Sequence, residues 1–423
     1  MKTVQSFILF ATALLCLGSP FAVGADYSID DDNVIDMTHE DSQSWDVNGV
    51  LRVGDTGTGT LNITDGGQVA SYFGYIGYYA GSKGMVNVTG KNSDTEECSI
   101  WNNSDIIVVG REGVGTLNIT GGGRVSDFSG SIGHGVGSEG TVNVEKGSVW
   151  TNGGDLNIGY AGTGTLNITD GGQVSNVDEC YIGFSRGAKG KVTVTGKDST
   201  WINGGRIFIG NGNGCTGMLN IENGGWVTNG EGIVGNLANS NGTVTVTGKD
   251  SVWINKENLT VGNEGNGTLN IKDGGLVEVT KGYGQSSSGT LNFTLGELFA
   301  DTILRVAGNL YLDTNTTVIF DFDFDKLVPT GKDSVFVGMF WDGTENVIDK
   351  NQFDFGDWES FNFVNWGKEI VFVNDESGGQ AGVRFFRTGD DPEPPSGTPE
   401  PATLLMLGLG LGAIPFARRL RKK

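Results

Sequence analysis

The stretch GTGTLNITDGGQV occupies Gly57 to Val69 and returns unchanged at Gly162 to Val174, with near copies starting at Gly113 and Gly265. A chain that repeats itself this closely folds as copies of one small unit, none of which can bury its apolar face alone. Weaker relatives such as GTVTVTGKDSVW, Gly242 to Trp253, lie between the close copies, so the true unit is about half their spacing. Aligning the first strand residue gives Thr60, Met85, Thr116, Thr141, Thr165, Lys191, Met218, Thr243, Thr268 and Thr290, a period of about 25 residues.

Within each unit the apolar residues alternate with polar ones. Leu61 and Ile63 are flanked by Thr60, Asn62 and Thr64, the pattern of a strand with one dry face and one wet face. Asp65-Gly66-Gly67 supplies a tight corner, a second short strand ends near Val69, and a third, such as Tyr75-Ile76-Gly77 or Asp155 to Gly159, closes the circuit. Three strands and three corners per unit predict an all-β fold: a parallel β-solenoid of about ten coils over residues 26–299, each coil burying its apolar layer on the next.

The units alternate in kind. Val69, Val125, Val174, Val227 and Val277 hold a place taken in neighbouring units by Trp101, Trp150, Trp201 and Trp253, so the tryptophans are expected in the core; an exposed sugar-stacking strip is the alternative. Trp226 differs, taking the outward position of Gln68 and Gln173, and is a candidate for surface contact. At the corner, Asp65, Asp170, Asn223 and Asp273 alternate with Lys91, Lys146, Lys197 and Lys249, and opposite charges are expected to meet along the stack.

Residues 300–388 change character, with longer alternating runs rich in Phe and Trp, and predict an all-β cap or small sandwich over the open end of the solenoid. There Asp321, Asp323 and Asp325 share one strand face. Calcium favours such oxygen clusters, but a solvated acidic face is the preferred reading, and neither metal nor cofactor is assigned. His39 and His134 are isolated, and the spacing of Cys98, Cys180 and Cys215 suits neither zinc nor a particular disulfide. A formal charge of −22 opposes binding to nucleic acid.

Both ends carry addresses. Lys2, the apolar run Phe7 to Leu17 and the small residues Ala22 to Ala25 predict a secretory signal over residues 1–25; Cys16 follows Leu15 rather than a small residue, which argues against a lipoprotein anchor. At the other end an acidic, Pro-rich linker (389–398) leads to Pro399-Glu400-Pro401, an apolar segment from Ala402 to Ala417, and a basic terminus of Arg418, Arg419, Arg421, Lys422 and Lys423. Such a segment is read as a single hydrophobic helix whose basic residues stop it at the cytoplasmic side. This order, over residues 399–423, resembles the PEP-CTERM sorting signal of Gram-negative bacteria. The resemblance implies that Pro399, Glu400 and Pro401 are recognised by an exosortase-type protease. The inner membrane would hold the chain until cleavage releases it to the cell surface or matrix. A plain membrane anchor is the alternative.

The idiom Gly-Thr-Leu-Asn-Ile-Thr followed by Gly-Gly-x-Val is similar to the passenger solenoids of autotransporter adhesins, although no outer-membrane barrel pattern follows the repeats here. Outward residues, among them Thr60, Asn62, Thr64, Thr116, Asn118 and Thr120, form a flat array of hydroxyls and amides of the kind that grips ice or a crystalline glycan; Thr and Asn also simply suit a wet strand face. Acidic residues recur with the repeat rather than converging on a cleft, so no catalytic site is expected. The expected function is that of an exported, noncatalytic structural or adhesive rod with extracellular polysaccharide as a candidate partner. A carbohydrate-binding or carbohydrate-active surface β-helix is the alternative, with ice binding ranked behind it.

Overall fold

The computed structural model describes residues 26–38, 44–295, 301–313, 315–322, 334–341, 350–354, 366–375 and 378–387. Among these residues the chain winds through three sheets of 12, 13 and 14 strands. The first begins at Tyr27–Ile29, the second at Asn33–Met37 and the third at Trp45–Asp46. Each circuit lays a short strand in the first sheet, a long one such as Thr163–Thr169 in the second, and a four-residue strand such as Gln173–Asn176 in the third. The strands of the coils between the two ends pair in parallel with their counterparts one coil before and one coil after: Leu166 lies between Val142 and Val192. The result is a parallel β-solenoid of about 11 turns, a rod on the order of 50 Å long at about 4.8 Å per layer.

One coil precedes the first that the repeats reveal, with Val34 in register with Thr60, and one follows the last, with Asn292 in register with Ile319. Parallel stacking therefore runs on past residue 299, through Thr302–Val306, Leu310–Leu312 and Val318–Phe322. Ser334–Trp341 adds in parallel to the third sheet, and the long strands Gly378–Arg387 and Trp366–Asp375 then pair antiparallel beyond it.

The core is built on size matching. In the third sheet Val69, Trp101, Val125, Trp150, Val174, Trp201, Val227, Trp253 and Val277 succeed one another in register, and the four tryptophans are fully buried. Across the coil, the first sheet answers inversely. Coils with Trp carry Gly74, Gly130, Cys180 or Gly232 there, whereas coils with Val carry Ile107, Leu156, Ile207 or Leu259. A methyl group on Gly130 would lie 2.9 Å from Trp150 Cζ2, so the small residue is the space the indole occupies. Cys180 is one such small residue; it is fully buried, burial pushes its thiol well above the ordinary range, and Cys98, Cys180 and Cys215 are all free.

Corners also couple neighbouring coils. The Ser99, Ser148, Ser199 and Ser251 hydroxyls are buried and accept the backbone N–H of Gly66, Gly122, Gly171 and Gly224 at 3.0–3.1 Å. Each comes from the coil after the glycine it caps, so a Trp coil satisfies the corner of the Val coil beneath it. The expected alternation of charge at this corner is not realised as pairing. Lys91 lies 3.9 Å from Glu96, and no ion pair joins Asp65 or Asp170 to the lysines. Asp65, Asp170, Asn223 and Asp273 instead share a left-handed backbone, φ 47–51°, which Asp and Asn tolerate better than other non-glycine residues; conformation, rather than charge, selects them.

Candidate functional site

The longest strands of the repeat lie in the second sheet, whose outer face recurs coil by coil. Thr60, Asn62 and Thr64 stand half-buried on it, in register with Met85, Asn87 and Thr89 and, one coil further, with Thr116, Asn118 and Thr120. The amides are already engaged. Asn62 Nδ2 donates to Asp36 Oδ1 at 2.7 Å, Asn87 to Asn62 Oδ1 at 2.7 Å, and Asn118, Asn143 and Asn167 each to the preceding Asn at 2.8 Å. Asp36 ends the column because a carboxylate accepts and need not donate. What this face offers a partner is therefore chiefly its threonine methyl and hydroxyl groups. Thr193 and Thr245 replace Asn further along, and Lys191, Glu222 and Lys272 put charges into the array.

Trp226 lies on the outer face of the third sheet, 40% exposed, between Thr200 and Val252 of the adjoining coils. Ile202, 50% exposed, shares that face. A wide ring on a flat sheet with an apolar neighbour is a surface on which a sugar ring can stack.

The outer face of the first sheet holds aromatic columns that the repeats do not announce. His134 stacks on Tyr160 at 4.7 Å and Tyr160 on Phe184 at 4.9 Å; alongside, Tyr181 stacks on Phe208 at 4.9 Å. Tyr78 lies between Arg52 and Arg111, whose guanidinium carbons are 4.9 and 4.3 Å from its ring centre. Because the rings lie face to face along the rod, they cover one another and turn their edges outward. These columns tie coil to coil. Burial, and then the charge of Arg111, keep the His134 imidazole below its ordinary value, and its Nδ1 lies 3.0 Å from Ser131 Oγ. The ring belongs to the column, which gives this histidine a place that its isolation in sequence did not suggest.

Acidic residues gather at the corner between the third and first sheets, where Asp155, Asp178, Glu179, Glu231 and Glu257 surround Arg206. Burial opposes the charge of Glu179, but the Tyr181 hydroxyl and the Arg206 guanidinium, both hydrogen-bonded to it, hold it below the usual carboxylate range. Lys281 pairs with Glu257 at 3.1 Å. No group of metal-ligating side chains is found among the described residues. Of the calcium candidates, Asp321 is exposed, and Asp323 and Asp325 lie outside the described residues.

The sorting residues Pro399, Glu400 and Pro401, the apolar segment and the basic residues Arg418, Arg419, Arg421, Lys422 and Lys423 also lie outside the described residues, as does His39. Among the described residues no helix is long and apolar enough to cross a membrane.

Comparison with known proteins adds two findings. Residues 398–422 match the family model of the PEP-CTERM protein-sorting motif. The chain thus carries that signal, which implies recognition by an exosortase and export to the cell envelope or surface. Over 371 residues, 83% of this chain, it is 35% identical to the uncharacterized lipoprotein YdeK of Escherichia coli (strain K12). The chain spans about a quarter of that relative, 26% of its length. No solved structure is significantly similar to the chain.

Proposed function

We propose that this chain is a noncatalytic structural or adhesive rod of the cell surface or extracellular matrix, held briefly in the inner membrane and released by an exosortase-type protease. The observation that carries the reading is one chain combining a sorting signal at residues 398–422 with a stack of about 11 turns that repeats one flat outer face. Such a face supports many weak contacts in register, with affinity coming from their number. Intact mass and cell fractionation in the native host provide the test. The full chain is expected outside the cell, shorter at both ends, whereas a chain lacking residues 399–423 would stay unprocessed at its C-terminus. Retention of Arg418 to Lys423 in an inner-membrane product would overturn the release step.

A second reading, binding to carbohydrate, is favoured by the exposure of Trp226. A sugar ring laid on the indole would remove apolar surface of both from water. Trp226→Ala is then expected to weaken retention on films of the host's own surface polysaccharide several-fold without moving the unfolding midpoint. Unchanged retention by both proteins would leave Trp226 without this role.

A further inference from the structure

A second polar column runs inside the rod, at the inward position two residues after each Val or Trp of the third sheet. Its members Ser71, Asn103, Asp127, Asn152, Asn176, Asn203, Asn229 and Asn255 are all buried. In three of the Val coils, those of Ser71, Asn176 and Asn229, the residue has two duties: it accepts the indole N–H of the following coil's Trp, and it donates to that coil's Asn Oδ1. Ser71 accepts from Trp101 at 3.0 Å and donates to Asn103 at 2.8 Å. Asn176 accepts from Trp201 at 3.1 Å and donates to Asn203; Asn229 accepts from Trp253 at 2.7 Å and donates to Asn255 at 2.8 Å.

Asp127 occupies the same place. Its Oδ1 accepts from Trp150 Nε1 at 3.2 Å. Its Oδ2 and the Oδ1 of its register partner Asn152 are two buried acceptors left without a hydrogen-bond partner, and the Asn152 Nδ2 is unpartnered as well. A carboxylate has no hydrogen to give, whereas a carboxylic acid has one. We propose that Asp127 is a neutral acid in the folded rod, its Oδ2–H donating to Asn152 Oδ1 as the Asn176 and Asn229 amides do to theirs, and that this layer is consequently acid-stabilised.

The surroundings agree. Burial pushes the Asp127 carboxyl well above its ordinary range, outweighing the Trp150 indole and the Ile107 backbone N–H, which favour its charge. The strands packed around it, Ile100–Asn103, Val149–Asn152, Ile106–Val109 and Ser129–Ile132, contain no ionisable side chain. The flanking corner loops supply Asp105 and Asp155, both of like charge, and its own strand supplies Arg124, which points outward and is exposed. No cation on these strands compensates a buried negative charge, and the neutral form avoids one.

The sign follows from linkage. A carboxyl whose folded pKa lies above its unfolded value, about 3.9, contributes its full stability below that pH and loses it as pH rises toward the folded value. Asp127→Asn restores the amide pair of the neighbouring coils without a titrating group. In unfolding titrations of the full-length chain, the unfolding constant of the wild type relative to D127N is expected to rise up to about tenfold per pH unit above about pH 4, until the folded pKa is passed. Difference infrared spectra between the two proteins at pH 6 should show a protonated-carboxyl C=O band in the wild type alone. A ratio that stays flat or falls with pH would overturn the proposal, a fall marking an ionised Asp127 served by a rotated Asn152 amide. So would absence of the band.

Discussion

Trp201→Ala is expected to lower the unfolding free energy by about 3–5 kcal/mol, a large share of what holds one layer to the next. The indole is fully buried between Val174 and Val227, and Cys180 is the small residue across the coil that leaves room for it. Removing the ring leaves a cavity bounded by layers above and below that cannot collapse without breaking strand pairing. It also strips Asn176 Oδ1 of its indole donor, leaving an unsatisfied buried acceptor that pushes the loss toward the upper end of that range. Ile202→Ala, one residue on but facing outward, should change stability by less than about 0.5 kcal/mol. Denaturant titration of both proteins checks the contrast, and equal midpoints would mean that the indole is not a core element.

Gly164→Ala should destabilise the rod by about 3 kcal/mol or more, even though alanine suits extended backbone. The corner glycine Gly159, at φ 72°, donates its N–H to the Ile132 carbonyl of the coil below at 2.7 Å. Gly164 packs directly over that hydrogen bond, and a Cβ there would lie under 3.0 Å from both Gly159 N and Ile132 O. The obstacle is backbone, which cannot rotate aside as a side chain can. Gly59, Gly84, Gly115, Gly140, Gly190, Gly217, Gly242 and Gly267 stand in the same relation to their own corners, which is why the idiom keeps this glycine even where its other letters drift. Gly137→Ala is the control. It has open space but a φ of 79°, so it should cost only about 1–2 kcal/mol for the left-handed backbone. Hydrogen exchange of the flanking strands will tell the two apart: Gly164→Ala should expose the amides of its own layer, and protection equal to that of Gly137→Ala would count against the clash.

The stacked coils were legible because each level of the sequence says the same thing: the repeat sets the layer, and alternation sets the face. Alternation placed Leu61 and Ile63 inside and Thr60, Asn62 and Thr64 outside, and it put Trp101, Trp150, Trp201 and Trp253 in line with inward valines. The same rule places Asn152, Asn176 and Asn203 inside, two residues beyond the core Val or Trp, but polarity disguises them; the signal was the recurring Trp-x-Asn and Val-x-Asn, read against residue type. Corner charges misled for a related reason. At Asp65 and Asp170 the side chain is chosen for the backbone it permits, and charge is incidental. The first coil, Tyr27 to Asp46, lacks the idiom because an end layer meets a neighbour on one side only and is released from the pattern; the coil containing Leu310–Leu312 also lacks it, where the first sheet ends and the third passes into antiparallel strands. Sorting information runs the other way. Residues 398–422 match a family model of a short linear signal, legible in the sequence without reference to the repeats.

The alternation of Trp and Val has a bearing on ancestry. Removing a single coil would set Trp150 against Trp201, or Val125 against Val174, and at the cut a corner serine would face the wrong kind of turn or a corner glycine would lose its serine. Length in such a rod is therefore subject to parity. Duplications and deletions that survive should come as two coils at a time, about 50 residues, and the verbatim recurrence of Gly57 to Val69 at Gly162 to Val174, separated by an even number of coils, has that form.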